Sequence, residues 1–284
     1  MVAQTLTPPS PRAVQPGLAA HPRIANVIAV GSGKGGVGKS TTTVNLALAL
    51  QQQGVRVGVL DADVYGPSVP LMLGLSGRPE STQDKKIIPM RAFGVDTMSI
   101  GYLIEDDSPM IWRGPMATQA LTQFFNDTLW DDLDVLLIDL PPGTGDIQLT
   151  LSQKIPVAGA VVVTTPQEVA TLDARKALAM FEKVNIPVLG LVENMAVHTC
   201  SHCGHAEHIF GSGGGQAMAA RYNVPLLGSL PLEVAIREQA DAGMPITRAA
   251  PDSAAAQAYQ QVARRLLQAL GERPRASIAL HTQP

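Results

Sequence analysis

The sequence predicts an α/β fold, a mostly parallel twisted sheet with helices on both faces. Three observations carry that expectation. Short β-branched runs alternate with stretches of helical spacing along most of the chain, the pattern of successive βαβ units. The first unit is joined by a glycine-rich turn, Gly31 to Gly38. Of 284 residues 45% are hydrophobic but only 4% aromatic, so the core is aliphatic, as in sheets buried on both faces.

The first strand is expected in Ala25-Asn26-Val27-Ile28-Ala29-Val30, a short apolar run suited to burial. Ser40 to Gln53 has helical spacing, with Val44, Leu46, Ala47, Leu48 and Leu50 apolar, and Gly54 is placed to end it. A second strand, Val55 to Leu60, ends at Asp61. The alternation continues through strands at 95–100, 135–138, 160–163 and 188–192. Helices fall at 116–126, 168–182 and near 216–221, and a last strand near Leu226-Leu227. In the stretch 253–270, Tyr259, Val262, Ala263, Leu266 and Leu270 form one stripe with Arg264 and Arg265 off it. Two basic residues are few for a membrane-surface anchor, so this reads as a terminal helix docked on the core.

One folded domain is expected over 23–272, preceded by a flexible leader, 1–22, rich in proline, and followed by a flexible tail, 273–284. The leader lacks the apolar run of an export signal, and no segment approaches the ~20 apolar residues of a membrane span. A formal charge of −3 gives no case for general nucleic-acid affinity. The two cysteines, three residues apart, are too close for an ordinary structural disulfide, and the expected compartment is the reducing cytoplasm.

Gly33-Lys34-Gly35-Gly36-Val37-Gly38-Lys39-Ser40 fits G-x-x-x-x-G-K-[ST], preceded by a strand and followed by a helix, the context that pattern requires. Glycines let successive backbone N–H groups converge on phosphate oxygens, and the helix N-terminus adds a second anion site. Lys39 is placed to reach the β- and γ-phosphates, Ser40 to ligate Mg²⁺, and Thr41 continues the nucleotide-binding run. Asp139 ends a strand as a Walker B aspartate does. Asp61 and Asp63 end the strand after the loop helix. Ligand crevices open at the carboxyl ends of parallel strands, so the three carboxylates are expected together beside the phosphates.

Lys34 makes the motif unusual, and the form Lys-Gly-Gly-Val-Gly-Lys-Ser resembles the deviant Walker A box of the MinD/ParA/nitrogenase iron protein class. The resemblance implies a dimer in which Lys34 reaches the partner's phosphates. It further implies that Asp63 orients the attacking water, with Ser40, Asp61 and Asp139 around Mg²⁺, and that Gly143 senses the γ-phosphate. Ser32 to Ser40, Asp61 to Ser68, Trp112 to Met116, Asp139 to Asp146, Glu193-Asn194-Met195, Cys200-Ser201-His202-Cys203-Gly204 and Phe210-Gly211 narrow it. Together, over roughly 24–270, they resemble the Mrp/ApbC-type iron–sulfur cluster carrier ATPases. Many bacterial members of that family carry a small additional domain ahead of the ATPase, where this chain has only its proline-rich leader.

Cys200 and Cys203 in C-x-x-C spacing suit one metal or one cluster edge. Two cysteines leave a four-ligand site half filled, so either other ligands contribute or a second subunit does. The resemblance implies a 4Fe–4S cluster bridging a homodimer, with apo iron–sulfur proteins and a cluster scaffold as partners and neither nucleic acid nor membrane. Zinc aided by His198, His202, His205 or His208, a redox dithiol and inert thiols stand as other readings of the pair. Gly211 to Gly215 reads as a hinge or as the approach to a helix after it. Asn194 ends a strand where related ATPases contact adenine, and no acidic residue follows two positions on, so ATP is expected rather than GTP. Pro231 and Glu233 either flank the base or start a helix, and Arg113 serves either the dimer face or the local fold. The leading reading is therefore an ATP-hydrolysing cluster carrier, hydrolysis being slow and coupled to loading or release. Its competitors are a ParA/MinD-like positioning ATPase on DNA or membrane and a zinc-bridged dimeric targeting ATPase.

Overall fold

The computed structural model describes residues 8–103, 114–143, 145–200 and 202–276. Eight strands form the main sheet. At its centre β1 (Val27–Ser32) lies between β5 (Val135–Asp139) and β6 (Gly159–Thr164). Beyond β5 come β2 (Val57–Asp61), β4 (Val95–Ser99) and β3 (Met90–Ala92). Beyond β6 come β7 (Val188–Glu193) and β10 (Leu226–Ser229). All these pairings are parallel except that of the edge strand β3 with β4.

Residues alternate between the two faces of each strand, and the core follows that period. Val27 and Ala29 of β1 and Leu136 and Ile138 of β5 feed one hydrophobic layer; Ile28, Val30, Val135 and Leu137 feed the other. The first layer is closed by α3 (Gly114–Asp127), α4 (Asp146–Lys154), α5 (Glu168–Lys183) and α6 (Gly214–Tyr222). The second is closed by α1 (Lys39–Gln52), α2 (Val69–Met72), α7 (Val234–Asp241), α8 (Ile246–Ala249) and α9 (Ala254–Gly271). Helix α9 starts where the Ser253 hydroxyl accepts from the Ala256 amide, and it buries Tyr259, Val262, Ala263, Leu266 and Leu270. It is a docked terminal helix, as its stripe predicts. Among the described residues no helix is long and apolar enough to cross a membrane.

Several short elements lie outside the sequence expectation: α2, α4, α8, β3 and the two-residue strands β8 (His198–Thr199) and β9 (Ala206–Glu207). The stretch expected as a flexible leader lies against the body from residue 9 onward. The Asn26 amide donates to the Pro9 carbonyl (3.3 Å), and Asn26 Oδ1 accepts from Arg12 N (3.1 Å). Gln15 donates to Ser152 O (2.8 Å) and accepts from Val157 N (2.9 Å). Part of the expected tail joins this strap, with Arg12 bridged antiparallel to Arg275 and Ala13 N donating to Pro274 O. Buried polar groups outside the sheet need such partners, and the leader supplies them.

Candidate nucleotide site and cysteine hairpin

Strand β1 delivers the phosphate loop to the carboxyl edge of the sheet, and α1 carries it away at Lys39. The loop packs closely on α5. A Cβ at Gly33 would lie 2.0 Å from the backbone carbon of Asp173, so only glycine fits there. The amide of Asn194, at the end of β7, donates to Val37 O (2.9 Å) and fastens the loop from the other side.

The register places the acidic residues. Asp139 of β5 pairs with Val30 of β1 and with Asp61 of β2, so both carboxylates stand abreast beside the loop. Both are fully buried. Lys39 Nζ lies 2.8 Å from Asp139 Oδ1 and 3.9 Å from Asp63 Oδ2. Ser40 Oγ donates to Asp139 Oδ2 (2.5 Å) and Thr43 Oγ1 to Asp139 Oδ1 (2.8 Å). Asp61 accepts from Ser99 Oγ (3.0 Å), Asp63 N (3.1 Å) and Val69 N (3.3 Å). Burial, and then the charge of Asp139, push the Asp61 carboxyl up to about 7. Burial likewise raises Asp63, against the opposing pull of Lys39. Lysine, serine and the three aspartates thus converge as the motifs predict. Thr43, one turn beyond Ser40, and Ser99, at the end of β4, are two members that the motifs do not contain.

Lys34 is partly exposed and, among the described residues, pairs with no carboxylate. Gly143 N donates to Ser32 O (3.0 Å), which holds the segment after β5 against the loop. Trp112, Arg113 and Thr144 lie outside the described residues.

A cavity of about 580 Å³ opens beside the loop. Gly38, Thr41 and Asn194 form its phosphate end, and Pro231, Glu233, Arg237 and Tyr259 lie along its depth. Its walls are mostly apolar, with few polar groups, which suits a flat heterocycle. Glu233 caps α7 in position only, for its side chain makes no cap bond. Pro231 and Glu233 therefore line the cavity and begin the helix at once.

After Asn194 the chain makes a small hairpin, β8 with β9, and the cysteine pair forms its tip. Cys200 N donates to His205 O and Gly204 N to Cys200 O, both at 2.9 Å. Both thiols are free, Cys200 partly exposed and Cys203 exposed. Backbone amides of Cys203 and then His202 point at the Cys200 sulfur and lower its pKa, favouring the thiolate that metals bind. The histidines divide. His198 Nδ1 is 2.9 Å from Leu232 O and His208 Nδ1 is 2.7 Å from Ala196 O, while His202 and His205 are exposed on the tip. Among the described residues no three His, Cys, Asp or Glu side chains cluster to hold a metal.

A family model described as ParA, NUBPL iron-transfer P-loop NTPase, matches residues 23–267. An iron-sulfur cluster carrier protein of Pseudomonas fragi is 58% identical over 260 residues, 91% of this chain and 90% of that protein. One of the same name from Haemophilus influenzae is 60% identical over 244 residues, 86% of this chain but 66% of that protein; the chain spans just under two thirds of that relative. Among solved structures, a nucleotide-binding protein from Archaeoglobus fulgidus in complex with ADP has a TM-score of 0.68 at 38% identity. That match covers 78% of this chain and 87% of the other. Since the family match takes in the phosphate loop, the carboxylates and the cysteine hairpin alike, this chain belongs to the ParA family of P-loop NTPases, among the NUBPL iron-transfer proteins.

Proposed function

We propose that two copies of this chain together hydrolyse ATP and carry a 4Fe–4S cluster to apoproteins, each copy supplying Cys200 and Cys203. The observation that carries the reading is a solvent-accessible cysteine pair that, among the described residues, has no third ligand clustered with it, on a chain with a complete phosphate loop. Two thiolates leave half of a four-coordinate site open, and a second copy about a two-fold axis supplies the same two again. The names of the relatives, iron-sulfur cluster carrier proteins, support the same cargo.

The second copy also gives Lys34 a function. A partly exposed ammonium that pairs with no carboxylate among the described residues can meet a partner's triphosphate, where a cation delivered in trans is worth ~10³ or more in rate. Val169 and Leu172, 62% and 41% exposed, stand on the first turns of α5, whose Asp173 backbone abuts Gly33. Apolar surface beside the loop favours association on this face.

Within one copy, Lys39 exchanges its Asp139 partner for the β- and γ-phosphates. Asp63, held near Lys39 and raised by burial, orients the attacking water. Gly143 releases Ser32 O to meet the γ-phosphate with its N–H. Asn194 and the cavity beyond it take adenine. Ser40 and Asp139, hydrogen-bonded to each other, and Asp61 on the neighbouring strand form an all-oxygen donor set that fits Mg²⁺. When bound, Mg²⁺ neutralises charge on the phosphates. The free thiols suit a reducing compartment, the cytoplasm, with a cluster scaffold as donor and with neither nucleic acid nor membrane as a partner.

Anaerobic reconstitution with iron and sulfide, followed by sedimentation, tests this reading. One cluster per dimer, lost in Cys200→Ala and in Cys203→Ala while MgATP still binds, is the expected result. A bound zinc ion with no transferable cluster, or a fully loaded and active single subunit, overturns it.

A further inference from the structure

The cysteine hairpin and the cavity assigned to the base share a wall. Cys200 follows Asn194 by only six residues, and the intervening strand of chain is fixed at several points. Asn194 holds the phosphate loop through Val37 O and the sheet through Thr164 O (2.7 Å). Met195 turns the chain with φ +56, a left-handed backbone that a non-glycine residue adopts only when its surroundings impose it. Ala196 N then donates to Leu230 O and Leu232 N to Val197 O, and His198 Nδ1 meets Leu232 O. On the return limb His208 Nδ1 meets Ala196 O. Both limbs of the hairpin also face the cavity, His198 from the outgoing limb and Ile209, 54% exposed, from the returning one.

We propose that the base of the nucleotide, rather than its phosphates, sets the position of the cysteine pair, with His198 and Ile209 as positioning residues. This rests on the nucleotide site proposed above and concerns how that site addresses the cargo. A heterocycle in the cavity buries the exposed face of Ile209 and packs beside His198. It therefore favours the hairpin position that closes over it, and a ligand shifts an equilibrium only through such differential contact. The phosphate end reaches the hairpin at its root, where Asn194 holds Val37 O, whereas the segment 140–143 after β5 bonds to β1 and to Gln148.

The test uses the full chain, reduced and metal-free, and follows alkylation of Cys200 and Cys203 by iodoacetamide with mass spectrometry. Saturating MgADP is expected to change both rates about threefold or more, whereas inorganic tripolyphosphate, shown by competition to occupy the same loop, leaves them within about 1.5-fold. Ile209→Ala, at saturating ADP, is expected to lose the response, and Ile209→Val to keep it. Tripolyphosphate reproducing the ADP effect, no ADP effect at saturation, or a full response in Ile209→Ala overturns the proposal. Calorimetry for ADP and separate cluster reconstitution keep the readings apart. A chain that binds ADP and shifts its thiols but holds no cluster refutes the carrier and leaves the shared wall standing.

Discussion

At the phosphate end, Lys39, Asp61 and Asp139 lie buried among central strands, each held by partners from at least two elements. At the cysteine hairpin, two strands of two residues carry a tip whose residues His202 to Glu207 are all exposed. One site is defined by the sheet and assembled within a single chain. The other is defined by a few turn hydrogen bonds and, in the function proposed above, supplies half the ligands of its cargo. The difference follows from what each handles. Charge developing on a phosphate is stabilised by groups that need not reorganise, whereas cargo that is handed on must be reached from outside. Local stability is expected to be graded in the same sense, high in the sheet and low in the hairpin.

The largest expected effect breaks the self-sufficiency of the phosphate end. If hydrolysis needs a cation from the second copy, Lys34→Ala lowers kcat about 10³-fold while ADP affinity stays within about threefold. Steady-state phosphate release and calorimetry measure the two quantities. Mixing Lys34→Ala with a variant that binds no nucleotide, Lys39→Ala, sharpens the result. A mixed dimer carries one intact Lys34 opposite one intact loop, so part of the activity returns. Turnover of Lys34→Ala equal to that of the unaltered chain removes the lysine in trans.

A smaller effect compares the two regions directly through one glycine in each. At Gly33 an added methyl meets the α5 backbone at 2.0 Å, and overpacking against main chain costs about 3 kcal/mol. At Gly204, φ +73, an added Cβ meets nothing within 4 Å, and the left-handed backbone alone costs about 1 kcal/mol. Because the hairpin opens apart from the sheet, little of that second cost is expected in global unfolding. Urea denaturation of Gly33→Ala and Gly204→Ala separates them, and equal losses would show that hairpin and sheet unfold as one unit.

What was legible in the sequence follows the same division. The motif strands and the loop helix are readable because burial on both faces forces unbroken aliphatic runs, as in Val135 to Ile138, and because a phosphate loop admits few sequences. Asp61 and Asp139 could be placed abreast because parallel strands end together. Elements set by tertiary contact were not readable. Ile147, Leu149 and Leu151 of α4 alternate at a strand period inside a helix, and β8 and β9 are too short to have a period at all. Thr43 was within reach, standing one helical turn after Ser40 on the same face. Ser99, His198 and Ile209 were not, since nothing local marks a residue whose partner lies across the sheet or in a cavity wall. The leader was misleading for a related reason. Five prolines read as a chain without structure, yet proline-rich backbone with few donors lies readily in a strap that Asn26 and Gln15 hold.

The smallest effect concerns the cost of crowding two carboxylates at the phosphate end. Asp61 has its pKa raised to about 7, from an ordinary carboxylate value near 3.8, by burial and by Asp139 beside it. In chelated, metal-free buffer the folded chain thus keeps a proton that the unfolded chain has already released across this window. Stability consequently falls as pH rises towards 7 and levels off above it. Asparagine at this position has the shape of the protonated acid and no charge to lose. Between pH 6 and pH 8 the unaltered chain should lose about 1 kcal/mol relative to Asp61→Asn, measured by urea unfolding at each pH. Asp63, raised in the same direction, is present in both proteins and cancels in the difference. Parallel pH profiles would mean that Lys39 already neutralises the pair.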